Sequence, residues 1–228
     1  MSGVLITGTD TGVGKTVICG YLAAYLQARG LNVITQKWVQ TGWPSSDDIE
    51  KHSVTASDDL AELRAPYRLK YPASPHLAAA LENISIDIAR IENAYMELAR
   101  RFEMVLVEGC GGALVPLTDA VLLADVAARL SLPAIVVVHN RLGCINHALL
   151  TIEALRSRNP RIVGLVFNRL SREGDETILA DNVRITGMLS GAAVLGELPY
   201  LAEPGGGAGA FEPIGEAFCR EWSKIADE

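Results

Sequence analysis

A glycine-rich loop that ends in lysine and threonine is the strongest chemical signal in the chain. It runs from Gly8 to Thr16 with the sequence GTDTGVGKT. Glycines let successive backbone N–H groups face one anion, while the lysine and threonine supply a positive charge and a hydroxyl ligand for Mg²⁺. The loop is one residue longer than the common GxxxxGK[ST] spacing. We therefore predict a variant phosphate-binding loop and a bound nucleotide.

Two other interpretations of this loop fit the sequence less well. A GxGxxG dinucleotide fingerprint would use Gly12 and Gly14, but it requires an acidic residue about 20 positions further on. The chain has Ile34 to Gln36 there. A glycine-rich turn without a ligand accounts for a bare GK[ST] tripeptide, but not for its place between an apolar run and an amphipathic run.

Charged side chains also follow two other apolar runs. Lys37 comes directly after the run from Asn32 to Gln36, and Glu108 ends the run from Met104 to Val107. Side chains at the carboxyl ends of parallel strands reach the ligand crevice of an open sheet, where we expect Lys37. A carboxylate at the end of a buried strand is costly unless it is paired or coordinated, so we predict that Glu108 binds Mg²⁺.

Alternating elements position these residues. Short runs rich in valine and isoleucine recur with amphipathic segments between them, which is typical of parallel strands joined by crossover helices. We predict six strands, at about Gly3 to Thr7, Asn32 to Gln36, Met104 to Glu108, Ala134 to His139, Ile162 to Asn168 and Ala193 to Leu198. The fold class is therefore α/β, with a doubly wound, mainly parallel sheet in a Rossmann-like, three-layer arrangement. We expect a single domain over residues 1–228.

Periodic apolar residues predict the main helices. The first runs from Lys15 to about Arg29, and a second runs from Cys144 to about Ser157. An amphipathic stretch follows from Glu212 to Ala226. The apolar stripe of the first helix is formed by Val17, Ile18, Tyr21, Leu22, Tyr25 and Leu26.

Two segments lack a sustained pattern. Residues 43–75 are polar and rich in aspartate and serine, and a long segment of this kind in a compact domain is usually functional or mobile. Residues 204–209 read PGGGAG and are predicted to form a flexible loop.

Composition and charge exclude several classes of protein. Of 228 residues, 49% are apolar and 21% are charged, which is typical of globular proteins. The net charge is −7 and the longest basic run is Arg100-Arg101, so we predict no nucleic-acid partner. No apolar stretch approaches the ~20 residues of a membrane span, and the N-terminus lacks a signal-peptide pattern. Four cysteines without metal-ligand spacing indicate a reducing compartment, so we expect a cytoplasmic protein without a membrane partner.

Several further short segments follow the loop in a fixed order. They are KWVQTG at Lys37 to Gly42, SD at Ser57-Asp58, SPH at Ser74 to His76, EGCGG at Glu108 to Gly112, LGCINH at Leu142 to His147 and GELP at Gly196 to Pro199. Together with the loop they resemble the dethiobiotin synthetases, and the similarity covers nearly the whole chain. The combination is far more specific than any single segment, and it implies a P-loop NTPase-like fold.

The resemblance implies an ATP-dependent ligase of biotin synthesis. Enzymes of this family carboxylate 7,8-diaminopelargonate with CO₂, phosphorylate the resulting carbamate with ATP, and close a ureido ring to give dethiobiotin, ADP and phosphate. The resemblance also implies Mg²⁺ as the cofactor and ATP as a co-substrate. It further implies a homodimer in which each subunit contributes to the active site of its neighbour.

The resemblance assigns roles to particular residues. Lys37 and Lys15 are the implied catalytic residues, and the implied Mg²⁺ ligands are Thr16, Asp58 and Glu108. Implied nucleotide contacts lie at Gly12, Val13, Gly14, Lys15, Thr16, Val17, Asp58, Glu108, Gly109, Cys110, Gly111, Asn168, Arg169, Pro199, Tyr200 and Leu201. Implied contacts to the diamine or its carbamate lie at Thr11, Thr41, Gly111, Gly143, Cys144, Ile145 and Asn146. The last four would offer helix N-terminal amides to the carboxylate of the diamine.

The chain departs from the family pattern at three single positions and in one segment, where the glycine run from Gly205 to Gly207 replaces family residues associated with the ribose. Trp38 stands where proline is common, Cys110 where alanine is usual, and Arg169 where an acid usually follows the asparagine that reads adenine. The preferred nucleotide and the effect of the Trp38 indole on the substrate mouth are therefore left open.

A different class of function shares this fold. Partition ATPases of the MinD kind use ATP as a switch on DNA or membranes, and they typically carry an additional lysine near the start of the loop. This chain has Thr9, Asp10 and Thr11 there, and it has no basic face. The switch ATPase is the alternative to the ligase.

Overall fold

The computed structural model describes residues 3–52, 54, 56–158, 160–202 and 206–226 of the chain. Within these residues the strands are β1 (Gly3–Gly8), β2 (Val33–Lys37), β3 (Val39–Thr41), β4 (Tyr67–Leu69), β5 (Met104–Glu108), β6 (Ala134–His139), β7 (Ile162–Asn168) and β8 (Val194–Leu198). The helices are α1 (Lys15–Gln27), α2 (Asp48–Lys51), α3 (Ala61–Arg64), α4 (Pro75–Leu81), α5 (Ile88–Arg101), α6 (Leu123–Arg129), α7 (Cys144–Arg156), α8 (Glu176–Ser190) and α9 (Ala208–Ala226). A 3-10 turn spans Asp58–Leu60.

The main sheet joins six strands in the order β2-β5-β1-β6-β7-β8, and every neighbouring pair is parallel. The six predicted strands are confirmed, with bounds that differ by at most about one residue. Every residue of β1 and β5 is buried. Because successive side chains of a strand point to opposite faces, burial along the whole strand means that both faces are covered. The predicted doubly wound α/β fold is therefore confirmed.

Helices cover the sheet in groups. α1 and α9 contact each other, with α1 against β1, β2 and β5 and α9 against β7 and β8. α7 and α8 also contact each other and pack against β6, β7 and β8. None of the helices in the described ranges is both long and apolar enough to cross a membrane.

The first helix matches its prediction apart from its end and one residue of its stripe. It begins at Lys15 and ends at Gln27, two residues before the predicted Arg29. The prediction was wrong for Val17, whose side chain is 45% exposed. Val17 precedes Ile18 by one position, so it lies outside the i, i+4, i+7, i+8 series that faces the sheet.

Residues 43–75 fold into short elements. They contain α2, the 3-10 turn, α3 and β4, and β4 pairs in parallel with β3 to form a second, two-stranded sheet. Each of these elements has three or four residues, which is too short for a periodic pattern to predict. Ser53 and Thr55 of this segment lie outside the described residues.

The predicted loop at residues 204–209 is described only in part. Pro204 and Gly205 lie outside the described residues. α9 begins at Ala208, so the loop prediction was wrong for Ala208 and Gly209, and the amphipathic stretch starts four residues before the predicted Glu212.

Trp38 lies in the core of the protein. Its side chain is 1% exposed, and its Nε1 donates to Gln36 Oε1 at 3.0 Å. A large aromatic side chain between β2 and β3 therefore stabilises the junction of the two sheets by burial.

Candidate nucleotide and catalytic site

The glycine-rich loop lies between β1 and α1, with the backbone geometry of an anion site. Gly12 and Gly14 have φ angles of +74° and +98°, which glycine adopts more readily than other residues. A Cβ atom at position 14 would lie 2.0 Å from Nδ2 of Asn168. Gly14 is also the N-cap residue of α1, so the positive end of the helix dipole faces the loop.

Lys15 begins α1, and its ammonium group folds back over the loop. The side chain is buried, and Nζ donates to the carbonyl oxygen of Asp10 at 2.8 Å. Burial, together with the nearby charge of Lys37, lowers the pKa of Lys15 to about 8. A phosphate would offer this ammonium group a stronger, charge-assisted partner than a neutral carbonyl. Lys15 is therefore placed to bind an anion in the loop.

Lys37 and Glu108 form a buried ion pair at the carboxyl ends of β2 and β5. The two residues are direct partners in the parallel ladder. Lys37 Nζ lies 2.6 Å from Glu108 Oε1 and 2.7 Å from Asp48 Oδ2, and it also donates to the carbonyl oxygen of Gly109 at 3.3 Å. The structure therefore brings two strand-end residues that the sequence singled out into direct contact.

Opposing effects set the protonation of this pair. Burial alone would lower the pKa of Lys37, but the carboxylates of Glu108 and Asp48 outweigh burial and raise the pKa above its usual value. Burial alone would raise the pKa of Glu108, but the charge of Lys37 and the hydrogen bond to His52 lower it to about 2. Both members of the pair are therefore charged at neutral pH.

Two residues of the polar segment complete this cluster, and sequence reasoning missed both. Asp48 begins α2, and His52 follows its last turn. His52 Nε2 lies 2.7 Å from Glu108 Oε2, and its side chain is fully buried. The segment approaches α1 closely at Gly20, where a Cβ atom would lie 3.4 Å from the His52 Cα. Asp48 is one of several acids in a polar segment and His52 belongs to no motif, so no sequence signal marked them.

Thr16 and Glu108 supply a pair of oxygen atoms that suits Mg²⁺. Thr16 Oγ1 donates to Glu108 Oε1 at 3.0 Å. Adjacent ligands of an octahedral Mg²⁺ ion, with bonds of about 2.1 Å, stand about 3 Å apart, so this spacing fits. The third predicted ligand, Asp58, is exposed on the 3-10 turn, and no hydrogen bond or ion pair joins it to Thr16 or Glu108 among the described residues. The structure thus brings together two of the three residues.

The glycine turn that follows β5 packs against the phosphate-binding loop. A Cβ atom at Gly112 would lie 3.4 Å from the carbonyl oxygen of Gly8, and one at Gly111 would lie 3.5 Å from Thr11 Oγ1. Cys110 is buried, and burial raises the pKa of its thiol, so the thiol is neutral at pH 7. Residues 109–111 and Thr11 therefore lie side by side at the loop.

The predicted contacts to the nucleotide base lie at the carboxyl ends of β7 and β8. Asn168 is buried, and its Nδ2 donates to the carbonyl oxygen of Val13 at 2.9 Å, which ties β7 to the phosphate-binding loop. Arg169 follows directly, and its guanidinium group is paired with two glutamates. The segment that follows β8 contains Pro199, Tyr200 and Leu201.

The predicted contacts to the second substrate fall in separate places. Thr11 lines a cavity of about 320 Å³ between the phosphate-binding loop and the side of α7. Thr41 ends β3 and is half-buried. The N-terminus of α7 is formed by Gly143, Cys144, Ile145 and Asn146, and none of these four lines the cavity beside Thr11. Within one chain, the structure leaves this helix end outside the cavity.

A parallel sheet whose first strand leads through this loop into a helix, with a buried carboxylate ending the neighbouring strand, defines a P-loop ATPase. The MinC:MinD cell division protein complex of Aquifex aeolicus matches the structure with a TM-score of 0.60 and 17% identity, covering 100% of this chain and 96% of that chain. A ParA family ATPase of Chlorobium tepidum matches with a TM-score of 0.56 and 15% identity, covering 100% and 93%. At these identities the likeness concerns the fold alone.

Similarity in sequence is more specific. A family model described as "AAA domain" matches residues 2–205. The ATP-dependent dethiobiotin synthetase BioD of Chlorobaculum tepidum is 39% identical over 214 residues, covering 88% of this chain and 89% of its own length. The protein of the same name from Anaeromyxobacter dehalogenans is 41% identical over 181 residues, covering 78% and 81%. The chain belongs to the family of ATP-dependent dethiobiotin synthetases.

Proposed function

We propose that this chain is an ATP- and Mg²⁺-dependent ligase that converts 7,8-diaminopelargonate and CO₂ into dethiobiotin. One amine of the diamine takes up CO₂ and loses a proton, giving a carbamate. A carbamate oxygen then attacks the γ-phosphorus of ATP, and ADP leaves. The second amine loses a proton and attacks the carbonyl carbon of this carbamic-phosphoric anhydride. Phosphate leaves with the bridging oxygen, and the ureido ring closes.

The buried ammonium group of Lys37 carries this proposal. It lies beside Glu108 at the strand ends that border the phosphate-binding loop, and it is charged at neutral pH. Phosphoryl transfer to a carbamate oxygen needs positioning and charge stabilisation more than covalent chemistry. An ammonium group that exchanges its carboxylate partners for carbamate and γ-phosphate oxygens would supply both. Lys37 is therefore the proposed catalytic residue.

The phosphate-binding loop would hold the nucleotide phosphates, with Lys15 as the second proposed catalytic residue. Lys15 Nζ would leave the carbonyl oxygen of Asp10 for a phosphate oxygen, and the amides from Gly12 to Thr16 would face the same anion. The amides of residues 109–111 border the loop and would face the carbamate. Asn168 and the segment from Pro199 to Leu201 are the proposed contacts to the base.

Thr16 and Glu108 would hold Mg²⁺, which neutralises phosphate charge when it is bound. Glu108 Oε1 already lies 3.0 Å from Thr16 Oγ1 and 2.6 Å from Lys37 Nζ, so one carboxylate serves both the metal site and the catalytic lysine. Asp58 stays a proposed third ligand on resemblance alone, and its exposed 3-10 turn would have to move toward Thr16.

The carboxylate of the diamine would bind at the N-terminus of α7, in a homodimer with shared active sites. Gly143 caps this helix in a left-handed conformation with φ of +89° and without a side-chain cap, which leaves amides for an anion. Leu142, just before this helix, and Leu150, within it, are 77% and 56% exposed, which suits a subunit interface. Thr11 and Thr41 would contact the amines or the carbamate.

The alternative is a switch ATPase of the MinD kind, and only the fold likeness favours it. A buried lysine outside the phosphate-binding loop, paired with two carboxylates, suits phosphoryl transfer to a small substrate.

We also propose a cytoplasmic location, because the cysteines are free thiols, which suits a reducing compartment.

The ligase is tested by mixing the purified protein with 7,8-diaminopelargonate, bicarbonate, Mg²⁺ and ATP and detecting dethiobiotin by mass spectrometry. Each component is omitted in turn as a control. We expect product only in the complete mixture. ATP hydrolysis without any diamine-dependent product would reject the ligase and favour the switch ATPase.

A further inference from the structure

A chain of polar side chains runs across the carboxyl ends of β6, β7 and β8. It begins at Arg169, whose guanidinium nitrogens lie 2.6 and 2.8 Å from the two carboxylate oxygens of Glu176. Arg169 Nε also donates to Glu197 Oε1, and Asn140 Nδ2 donates to the same oxygen at 3.3 Å. Asn182 Nδ2 then donates to Asn140 Oδ1 at 2.9 Å. One continuous path of hydrogen bonds therefore joins three strand ends and α8.

The path ends at the loop that leads into α7. Asn182 Nδ2 also donates to the carbonyl oxygen of Arg141 at 3.2 Å, and the thiol of Cys144 lies 3.9 Å from Asn140 Oδ1. Asn140 and Asn182 are both buried, and the Asn140 N–H donates to the carbonyl oxygen of Asn168 at 3.0 Å. Hydrogen bonds to β7 and to α8 therefore hold the loop before Gly143 in place.

Arg169 is the group on which the rest of the path depends. The two terminal nitrogens of its guanidinium group bind Glu176, and its Nε donates to Glu197. The side chain therefore directs its donors to glutamates. Without Arg169, the weaker amide donor of Asn140 would be the one side-chain donor left to the Glu197 carboxylate among the described residues. A charged carboxylate that loses its arginine reorients toward water or another donor, and Asn140 would lose a fixed acceptor.

We propose that Arg169, acting through Glu197 and Asn140, is a positioning residue that holds the N-terminus of α7 in place for the carboxylate of the second substrate. The inference rests on the proposed function, because that function supplies the anion for this helix end. In this role Arg169 would act through its glutamate partners and not by contact with the anion or the reacting atoms. It links the strand end beside the nucleotide base contacts to the helix end that would bind the diamine.

The first test compares the kinetics of Arg169→Gln and Asn140→Ser with those of the unchanged protein. We expect each variant to raise the KM for diaminopelargonate about fivefold while kcat changes less than about twofold. Because the two residues lie on one path, the double variant should raise KM no further than the larger single effect. Arg184→Ala is the matched control, since it removes an exposed pair with Asp181 on the same helix α8 and should leave KM unchanged.

The second test needs no turnover, and it separates this inference from the proposed function. The rate at which iodoacetamide alkylates Cys144 is measured by mass spectrometry in the same variants, with the fully buried Cys19 as an internal control of global folding. We expect Cys144 to react about fivefold faster in both variants, with Cys19 unchanged. Rates for Cys144 or KM values that stay within about twofold of the unchanged protein in both variants would overturn the proposal. If the unchanged protein makes no dethiobiotin, the proposed function fails and the role toward its substrate fails with it, and the Cys144 rates then test only whether Arg169 and Asn140 hold the helix end.

Discussion

The ammonium group of Lys37 lies 2.6 Å from Oε1 of Glu108, and the two residues are partners in the parallel ladder between β2 and β5. Their side chains are 6% and 1% exposed. Removing two charges from water is costly, so a pair at this depth is weak evidence for stability. Its place beside the phosphate-binding loop suits the charge stabilisation that we propose for Lys37.

Replacing Lys37 by alanine should abolish turnover while largely sparing ATP binding, because the proposed contacts of its ammonium group matter most in the transition state. We expect the rate of dethiobiotin formation to fall by at least about 100-fold. The same change removes the buried positive charge that Glu108 and Asp48 share, and it should lower the free energy of unfolding by about 3 kcal/mol. Near-normal product formation by this variant would remove Lys37 from the catalytic role.

A second substitution at Lys37 separates catalysis from stability. Lys37→Arg keeps the positive charge beside both carboxylates but places a planar fork where a compact ammonium group stood. We expect this variant to unfold in urea close to the unchanged protein and still to lose about 100-fold in turnover. A variant that is fully active would mean that charge alone suffices and that the position of Nζ is unimportant.

Glu108→Gln should weaken the dependence of nucleotide binding on Mg²⁺. A neutral amide is a poorer ligand for a hard divalent cation than a carboxylate. We expect the Mg²⁺ concentration that gives half-maximal binding of a fluorescent ADP analogue to rise by at least about tenfold. The matched control is Glu103→Gln, at an exposed position just before β5, and it should have no effect. An unchanged Mg²⁺ titration for Glu108→Gln would exclude Glu108 from the metal site.

Gly14→Ala and Gly30→Ala form a matched pair of glycine substitutions. Both positions have positive φ, of +98° and +85°, but a Cβ atom would meet Asn168 at 2.0 Å at position 14 and nothing within 4 Å at position 30. Gly14→Ala should reduce ADP affinity by at least about tenfold, because the loop must shift from Asn168. Gly30→Ala should lower the free energy of unfolding by about 1 kcal/mol and leave ADP affinity unchanged. Calorimetric titration with ADP checks both, and equal affinities would contradict the geometry of the loop.

Asp125 should contribute stability that depends on pH. Burial alone would raise the pKa of Asp125, but the N–H of Leu122 and the guanidinium of Arg158 lower it below its usual value. A lowered folded-state pKa means that this stability is present above the unfolded pKa of about 3.9 and is lost as the pH falls through the folded pKa. In urea unfolding, Asp125→Asn should cost about 1 kcal/mol at pH 7 and progressively less toward pH 3. A difference that does not change with pH would contradict this assignment.

Local patterns predicted the sheet, the loop and the strand-end residues. Buried parallel strands read as continuous apolar runs, so all six strands of the main sheet could be located from sequence. The carboxyl ends of such strands meet at one edge, which is why Lys37 and Glu108 could be expected near each other before any contact was known.

Long-range placement could not be predicted in the same way. Asp48 and His52 reach the ion pair because a polar segment folds over α1 at Gly20, and no periodicity marks that approach. The strands β3 and β4 have three residues each, which is too short for a periodic pattern to predict. Asp58 was predicted as a metal ligand from the family resemblance alone, and it is exposed in the structure.

In the proposed reaction a carbamate oxygen attacks ATP beside Lys37, and isotope transfer tests this step most directly. The protein is mixed with ¹⁸O-labelled bicarbonate, diaminopelargonate, Mg²⁺ and ATP, and both products are analysed by mass spectrometry at short times. We expect one ¹⁸O atom in the carbonyl of dethiobiotin and one in the released phosphate, because the bridging oxygen leaves with phosphorus. Dethiobiotin formed together with unlabelled phosphate would contradict the carbamic-phosphoric anhydride, and the absence of dethiobiotin would contradict the ligase itself.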